Sequence, residues 1–130
     1  MTGDEALSYW EKAALTARGE WLSGAEKVVT LASPPAGQDP KACITRLTVP
    51  MDCTASITPT WLAYAKMDER VSQQTGDLYL DKKSWFCSAD QRCPVFVEDT
   101  IVRRDATHIT AEYATKVAPL MAEALLPVLQ

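Results

Sequence analysis

Histidine is almost absent from this chain of 130 residues, because His108 is the only one. With one histidine and no Cys-x-x-Cys spacing, the chain offers little for a zinc site, and no metal is expected. No apolar run reaches the roughly 20 residues of a membrane-spanning helix. Lysines and arginines are scattered, without a basic stripe, and the net charge is −4. A nucleic-acid partner is therefore not expected.

The N-terminus lacks the basic segment and apolar stretch of a signal peptide. Export of the protein would therefore need a segment upstream of Met1. Hydrophobic residues make up 47% of the chain and charged residues 23%, which is ordinary for a globular protein and excludes wholesale disorder. The length fits one small domain or a part of a larger one.

The four cysteines fall into two close pairs, Cys43 with Cys53 and Cys87 with Cys93. The even count predicts two disulfides and an oxidising compartment. Four cysteines allow three connectivities, and we favour the two local bonds. Zinc coordination is the alternative interpretation, which the spacing disfavours.

Periodic apolar residues and capping signals predict four helices. The first spans residues 4–23, and a short one follows Asp39 and ends near residue 47. The third runs from residue 58 to Gly76, and the last spans residues 110–126, with a kink expected at Pro119. The apolar stripe of the first helix is expected to pack in the core and consists of Leu7, Trp10, Ala14, Ala17 and Trp21.

Two short runs of β-branched or apolar residues, 28–31 and 78–80, predict buried strands. A small hairpin is predicted at residues 95–102, around Glu98 and Asp99. The order of helices and strands indicates an α/β domain with a parallel sheet. Two strands are few for an independent parallel sheet, which needs several strands and cover on both faces. We therefore expect the C-terminal part of a larger α/β domain.

The spacing Asp105-Ala106-Thr107-His108, just before the last helix, places a carboxylate three residues from the imidazole. Such a pair can form the base half of a Ser-His-Asp site, in which the acid holds one ring nitrogen and the other takes a proton from a hydroxyl. The same spacing also occurs where an acid caps a turn beside an exposed histidine. The spacing alone leaves both interpretations open.

The segment from Trp85 to Val97, with its Cys-loop-Cys-Pro pattern, and the block Arg104-Asp105-Ala106-Thr107-His108-Ile109-Thr110 resemble a known family. They are similar to the C-terminal end of the SGNH-type domain of bacterial acyltransferase family 3 proteins, which are membrane O-acyltransferases. The strand and Pro-containing loop at residues 28–35 resemble the same family. The resemblance covers most of residues 20–128 and is most specific over residues 85–110.

The resemblance implies that the complete domain is an SGNH-hydrolase-like α/β/α sandwich, in which Asp105 is the orienting acid and His108 the general base. An early Gly-Asp-Ser block supplies the serine nucleophile, and Gly and Asn blocks complete an oxyanion hole. The implied reaction moves a small acyl group, often acetyl, onto or off a hydroxyl of a cell-surface glycan. It implies no cofactor, a glycan or acyl-ester substrate, an upstream membrane acyltransferase domain and an extracytoplasmic location.

This chain departs from the family pattern because no Gly-Asp-Ser block occurs in it. Residues 3–5 read Gly-Asp-Glu, carry glutamate where the serine belongs and lead into a predicted helix. Residues 1–130 are therefore expected to form the C-terminal half of the domain, without the nucleophile block. Ser84 and Ser88 are expected to be turn residues rather than substitutes for the missing serine.

Two interpretations of function remain. In the first, the chain supplies the His-Asp pair of an SGNH-type O-acyltransferase or esterase. In the second, it is a non-catalytic extracytoplasmic binding module or an inactive remnant. Trp85 and Phe86 are expected to pack in the interior rather than to stack on a sugar. Arg103 and Arg104 are expected to be solvated or paired with the acidic residues of the hairpin.

Overall fold

The protein is described here by a computed structural model that covers all 130 residues. The chain divides into two compact units. Unit 1 consists of Met1–Ala32 and Pro59–Asp81, and unit 2 consists of Ser33–Thr58 and Lys82–Gln130. None of the helices is both long enough and apolar enough to span a bilayer. The helices are α1 (Gly3–Glu20), α2 (Pro40–Cys43), α3 (Pro59–Thr75) and α4 (Ala111–Leu129), and the strands are β1 (Val29–Leu31), β2 (Ala55–Ser56), β3 (Leu78–Leu80), β4 (Arg92–Cys93), β5 (Phe96–Val97) and β6 (Thr100–Ile101), with 3-10 turns at Pro50–Cys53 and Lys83–Trp85.

Unit 1 contains the parallel sheet that the sequence predicts. Strands β1 and β3 pair in parallel, with Val29 opposite Leu78 and Leu31 opposite Leu80. The N–H of Ala32 continues the ladder by donating to the carbonyl of Leu80 at 3.0 Å. Helix α3 packs against both β3 and α1. The prediction of an α/β fold with a short parallel sheet is confirmed.

Helix α1 begins at a capping box, in which Thr2 and Glu5 each accept a hydrogen bond from the other's backbone N–H. It ends at Glu20, three residues earlier than predicted. The predicted core stripe is only partly correct, since Trp10 remains 53% exposed and Trp21 79% exposed. No residue of α1 is fully buried. Leu7, Ala14 and Ala17 are half-buried, so unit 1 covers the stripe only in part.

Helix α3 closes at the predicted position because Gly76 adopts a φ of +76°, a conformation that glycine reaches without steric strain. The following N–H, of Asp77, donates to the carbonyl of Ser72 at 2.9 Å. The carboxylate of Asp77 then receives two hydrogen bonds from the guanidinium of Arg18, at 2.6 Å and 3.0 Å. This paired contact joins the end of α1 to the end of α3.

Unit 2 contains two antiparallel strand pairs, β2 with β4 and β5 with β6. The second pair is the predicted hairpin, and Glu98 in its turn has a φ of 55°. Val95 and Val102 flank this hairpin and are completely or almost completely buried. The N–H of Val102 donates to the carbonyl of Val95 at 2.8 Å, which extends the backbone pairing of the hairpin by one residue on each strand. These two buried valines belong to the core of unit 2.

The two helices of unit 2 differ in length from the prediction. Helix α2 has the predicted Asp39 cap and first-turn Pro40, but it ends at Cys43 rather than near residue 47. Helix α4 extends to Leu129 and continues through Pro119. Tyr113 and Val117, one turn apart on α4, are its buried residues. The apolar spacing of α4 thus fixes the inner side of the helix, while its length exceeds the prediction.

Candidate active site

The Asp105–His108 turn joins the hairpin of unit 2 to helix α4. Backbone contacts close the turn at its base, where Arg103 and Ile109 form an antiparallel bridge. The N–H of Arg104 donates to the carbonyl of His108 at 2.9 Å. The two ends of the turn are therefore held together by main-chain bonds, and the four residues between them form a defined loop.

The structure brings Asp105 and His108 into direct contact. The imidazole Nδ1 of His108 lies 2.9 Å from Oδ2 and 3.0 Å from Oδ1 of Asp105. The same Oδ1 accepts hydrogen bonds from the backbone N–H groups of Thr107 and His108, at 2.9 Å and 2.8 Å. The Thr107 hydroxyl lies 3.2 Å from both Asp105 Oδ1 and His108 Nδ1. One carboxylate therefore organises both the turn and the ring.

These hydrogen bonds favour the ionised carboxylate. The backbone N–H groups of Thr107 and His108, followed by the imidazole contact, hold the pKa of Asp105 far below its usual range. Asp105 therefore stays negatively charged at any pH near neutrality. Its pKa is lower in the folded state than in the unfolded state. The stabilisation from these hydrogen bonds is therefore fully present above the unfolded-state pKa and is lost as the pH falls through the folded-state pKa.

A fixed acceptor at Nδ1 selects the tautomer of the neutral ring. When Asp105 accepts from Nδ1–H, the lone pair of the imidazole lies on Nε2. The His108 side chain is 75% exposed, and its hydrogen bonds to Asp105 and Thr107 all involve Nδ1. Nε2 is thus presented to solvent as a proton acceptor, which is the arrangement that a general base requires.

Helix α4 starts directly after this turn and is anchored to the rest of unit 2. The Thr110 hydroxyl accepts from the N–H of Tyr113 at 3.1 Å, as a helix cap does, and donates to the carbonyl of Ile101 at 2.5 Å. One turn into the helix, the Tyr113 hydroxyl donates to the carbonyl of Trp85. The candidate site therefore rests on a helix fixed at two points.

Neither serine near the second cysteine pair lies within hydrogen-bond distance of His108. The Ser88 hydroxyl donates to the Asp90 carboxylate and also contacts the carbonyl of Arg92 at 3.0 Å, within a turn. Ser84 is exposed at the rim of a cavity. The Gly-Asp-Glu segment at residues 3–5 forms the first turn of α1. The structure thus brings Asp105 and His108 together, and neither Ser84 nor Ser88 supplies a hydroxyl to the imidazole; the hydroxyl that contacts Nδ1 is that of Thr107.

Both predicted disulfides are present. Cys43 is bonded to Cys53 and Cys87 to Cys93, and no free cysteine remains. The structure therefore uses all four sulfurs in covalent bonds, as the sequence favoured, rather than in the zinc alternative. The bonds close loops with sequence separations of 10 and 6 residues; Cys53 lies two residues before β2, and Cys93 lies in β4, opposite Ala55.

The expectation for Arg103 was wrong. The side chain is 1% exposed and donates through Nη2 to the backbone carbonyl of Pro35, whereas the acidic residues of the hairpin, Glu98 and Asp99, pair with Lys116. Strand alternation does not account for this burial, because the consecutive residues Val102 and Arg103 are both buried; the Arg103 side chain instead lies against Gly37 and reaches Pro35. Its neighbour Arg104 is exposed, as expected.

Sequence reasoning also missed the role of Gly37. Its N–H donates to the carbonyl of Ala106 at 2.9 Å, within the Asp105–His108 turn. A Cβ atom at this position would lie 2.3 Å from Nε of Arg103, so only glycine permits the observed approach. The Pro-Pro-Ala-Gly sequence signalled a break in regular structure, but nothing in it indicated contact with residues almost 70 positions later.

An open cavity of about 520 Å³ lies beside the second disulfide loop. Phe86 is buried and its ring centroid lies 5.9 Å from that of Tyr113, so its expected role in packing is confirmed. Trp85 is half-buried at the cavity wall. Charged side chains reach the same cavity from Asp90 and Arg92. His108 and Asp105 are not among the residues that line it.

Comparison with known proteins identifies the family. The family model described as "SGNH domain (fused to AT3 domains)" matches residues 3–123, which is nearly the whole chain. No curated protein matches, and no solved structure matches. The match agrees with the resemblance carried by residues 85–110, with the α/β fold and with the two disulfides. The chain therefore belongs to the family of SGNH domains that are fused to AT3 domains.

Proposed function

We propose that this chain supplies the general base, His108, and the orienting acid, Asp105, of a serine-type O-acyltransferase or esterase. The observation that carries the proposal is the 2.9 Å contact between His108 Nδ1 and Asp105 Oδ2, combined with the exposure of the ring. Membership of the SGNH family supports acyl chemistry in general. The substrate that we propose is a small, acetyl-like ester of a cell-surface glycan.

In the proposed reaction, Nε2 of His108 removes the proton from a serine hydroxyl as the oxygen attacks the acyl carbonyl. The developing imidazolium stays close to the Asp105 carboxylate, which stabilises its positive charge. The ring then returns the proton to the departing alcohol, and the acyl group remains on the serine. A second hydroxyl, from an acceptor sugar or from water, repeats the sequence and releases the acyl group as a new ester or as the free acid.

The proposal requires the serine and the oxyanion donors to come from outside these residues, because no Gly-Asp-Ser block occurs in them. We propose that residues 1–130 form the C-terminal half of the SGNH domain. The family description further supports an acyltransferase domain in the same parent protein. The two disulfides support an oxidising, extracytoplasmic location at the cell envelope.

A non-catalytic module is the second candidate, and one observation favours it. Asp105 already accepts from the backbone N–H groups of Thr107 and His108, so it stabilises the turn without any reaction. In that case the contact with the His108 ring is incidental. The two candidates differ in what happens to acyl transfer when the imidazole is removed.

The decisive experiment measures acyl transfer by the parent protein that carries this domain, before and after His108→Ala. Loss of a general base is expected to lower kcat by roughly 10²–10⁴-fold. Asp105→Asn keeps the size of the side chain but loses its charge, and a smaller loss is expected. Glu112→Gln, an exposed change in the first turn of α4, is the matched control and should retain activity. Full activity of His108→Ala would refute the catalytic assignment.

A simpler assay uses this chain alone with an unactivated acetyl ester, because an exposed imidazole attacks activated esters such as 4-nitrophenyl acetate by itself. We expect no hydrolysis above that of the His108→Ala variant, because neither Ser84 nor Ser88 lies beside the imidazole. Hydrolysis that depends on His108 would show that the chain contains a nucleophile or an activated water of its own. That result would contradict the proposal that the site is completed by another segment.

A further inference from the structure

Arg103 is an unusual residue for the interior of unit 2. Its side chain is among the largest that are fully buried, and Nη2 donates to the carbonyl of Pro35. No group accepts a hydrogen bond from Nε or Nη1. No carboxylate forms an ion pair with the guanidinium. Burial disfavours the charged form and therefore lowers the pKa of Arg103.

A buried cation without a counterion is unfavourable, and an apolar residue of similar size often stabilises a protein at such a position. Packing alone therefore does not account for an arginine here. Departures from local stability rules are most often found where a residue has a functional role. A long side chain with a planar, charged end at residue 103 therefore points to a specific contact in unit 2.

The contacts of Arg103 lead directly to the Asp105–His108 turn. Its backbone forms one side of the bridge that closes the turn, opposite Ile109. Its side chain extends to the carbonyl of Pro35 and lies against Gly37, where a Cβ atom would be 2.3 Å from Nε. Residue 103 therefore contacts the base of the turn and the loop at residues 35–37 at the same time.

The loop at residues 35–37 completes the arrangement from the other side. The N–H of Gly37 donates to the carbonyl of Ala106 at 2.9 Å, and Ala106 lies between Asp105 and His108 in the chain. The middle of the turn is thus tied to Gly37, and Gly37 rests on the guanidinium that extends from the base of the turn. We call this group, Arg103, Pro35 and Gly37, the clasp.

We propose that the clasp positions the Asp105–His108 turn, so that Arg103 and Gly37 are positioning residues for the imidazole. The proposal rests on the proposed function for its catalytic consequence only. The clasp fixes the peptide between Asp105 and His108, and this peptide determines whether the carboxylate and Nδ1 remain in contact. The planar guanidinium provides a flat surface for the glycine backbone and one directed bond to the loop.

The test uses the isolated, disulfide-bonded chain with ¹⁵N labelling. His108 is the only histidine, so one pair of imidazole ¹⁵N resonances reports its tautomer without ambiguity. Wild type should show the neutral ring protonated at Nδ1. Arg103→Met and Gly37→Ala should each shift the resonances toward a mixture of tautomers. Amide exchange at Gly37 should also become faster in Arg103→Met by roughly fivefold, the factor that matches the net contribution of one hydrogen bond.

Matched controls separate positioning from general stability. Arg46→Met removes an exposed arginine of unit 2, and Gly24→Ala adds a methyl group where nothing lies within 4 Å. Both should leave the imidazole resonances unchanged. Arg103→Lys keeps the charge but lacks the planar group, and it should restore the wild-type tautomer only in part. If Arg103→Met does not fold, Gly37→Ala provides the same test with the charge intact.

Wild-type imidazole resonances in folded Arg103→Met and folded Gly37→Ala would overturn the proposal, whatever their melting temperatures. A changed tautomer in both would support it. In the parent protein, Arg103→Met should lower kcat by about 10²-fold with KM little changed, as a misplaced catalytic group does. If His108→Ala keeps full activity, the proposed function fails, while the tautomer measurements still decide whether the clasp positions the ring.

Discussion

The two units of this chain are stabilised in different ways. Unit 1 has a parallel strand pair, two packed helices and the ion pairs Arg18–Asp77 and Arg70–Glu11. It contains no disulfide. Unit 2 contains both disulfides, four strands of only two residues each, and the Asp105–His108 turn. Strands this short contribute few ladder bonds. The unit that carries the candidate site therefore depends on covalent closure, whereas the other depends on helix packing.

Two arginines make the same contrast at the level of single residues. Arg18 in unit 1 donates two hydrogen bonds to one carboxylate, that of Asp77, which is 7% exposed. Arg103 in unit 2 is more deeply buried, has no carboxylate partner and donates to a backbone carbonyl. The first arrangement is expected where an ion pair stabilises a fold. Arg103 has no ion-pair partner and instead contacts the base of the turn that holds His108.

Removal of a disulfide should produce the largest effect and should distinguish the two units. Replacing Cys87 and Cys93 together by alanine is expected to lower the free energy of unfolding by roughly 2–3 kcal/mol, the usual contribution for so short a loop. Hydrogen exchange followed by mass spectrometry should show faster exchange in β4 and the hairpin. Peptides that cover β1 and β3 should exchange at nearly the wild-type rate.

The other disulfide provides the matched comparison. Replacing Cys43 and Cys53 should lower stability slightly more, because this bond closes the longer loop, with a sequence separation of 10 rather than 6 residues. Both double variants should affect the same unit. Equal acceleration of exchange in β1 and β3 would contradict the view that the disulfides stabilise unit 2 in particular.

Breaking the Arg18–Asp77 pair should have the next largest effect, in unit 1. Arg18→Met leaves the shielded Asp77 carboxylate without its cation, with only the Thr75 hydroxyl at 2.8 Å as a side-chain donor. A fall of several degrees in melting temperature is expected. Arg70→Met is the control, because its pair with Glu11 is more exposed and such pairs contribute little. A larger loss for Arg70→Met would show that burial does not determine the contribution of these pairs.

The same pair predicts how unit 1 responds to acid. Hydrogen bonds from Arg18, supported by Thr75, lower the pKa of Asp77, although partial burial opposes the shift. Because the folded pKa lies below the unfolded value of about 3.9, the pair stabilises the protein above about pH 4 and is lost as the pH falls through the folded pKa. Urea unfolding at pH 7 and pH 3 should therefore show a larger acid loss in wild type than in Asp77→Asn.

The parts of the fold that could be predicted are those with a strong local signal. The caps Thr2 and Thr110 start α1 and α4, and Gly76 ends α3, because each needs only its own neighbours to act. The cysteine pairing followed from proximity along the chain. The strands β2 and β4 could not be predicted, since a strand of two residues is too short to show alternation.

The candidate site was predictable only in part, for the same reason. The contact between Asp105 and His108 arises within four residues, so the spacing indicated it. The burial of Arg103 depends on Pro35 and Gly37, which lie almost 70 residues earlier, and no local pattern reports such a contact. The exposure of Trp21 was missed because a periodic stripe shows which face is apolar and does not show whether anything covers it.

The hairpin turn of unit 2 offers the smallest predicted effect and separates backbone strain from charge. Glu98 is the first of two turn residues and has a φ of 55°, a conformation that glycine prefers at this position. Glu98→Gly relieves roughly 1 kcal/mol of strain, but it also makes the unfolded chain more flexible and removes the 2.7 Å contact with Lys116. Lys116→Met removes this contact without changing the turn backbone, together with the contacts of Lys116 to Asp99 at 3.7 Å and to the Thr100 hydroxyl at 3.3 Å.

Because exposed ion pairs contribute little, relief of strain should outweigh the lost contact. A slightly higher melting temperature is therefore expected for Glu98→Gly, and almost no change for Lys116→Met. Comparing both single variants with the double variant isolates the ion pair from the backbone. A lower melting temperature in Glu98→Gly, with no change in Lys116→Met, would mean that flexibility of the unfolded chain dominates. The short strands of unit 2 would then depend on a restricted turn as well as on the disulfides.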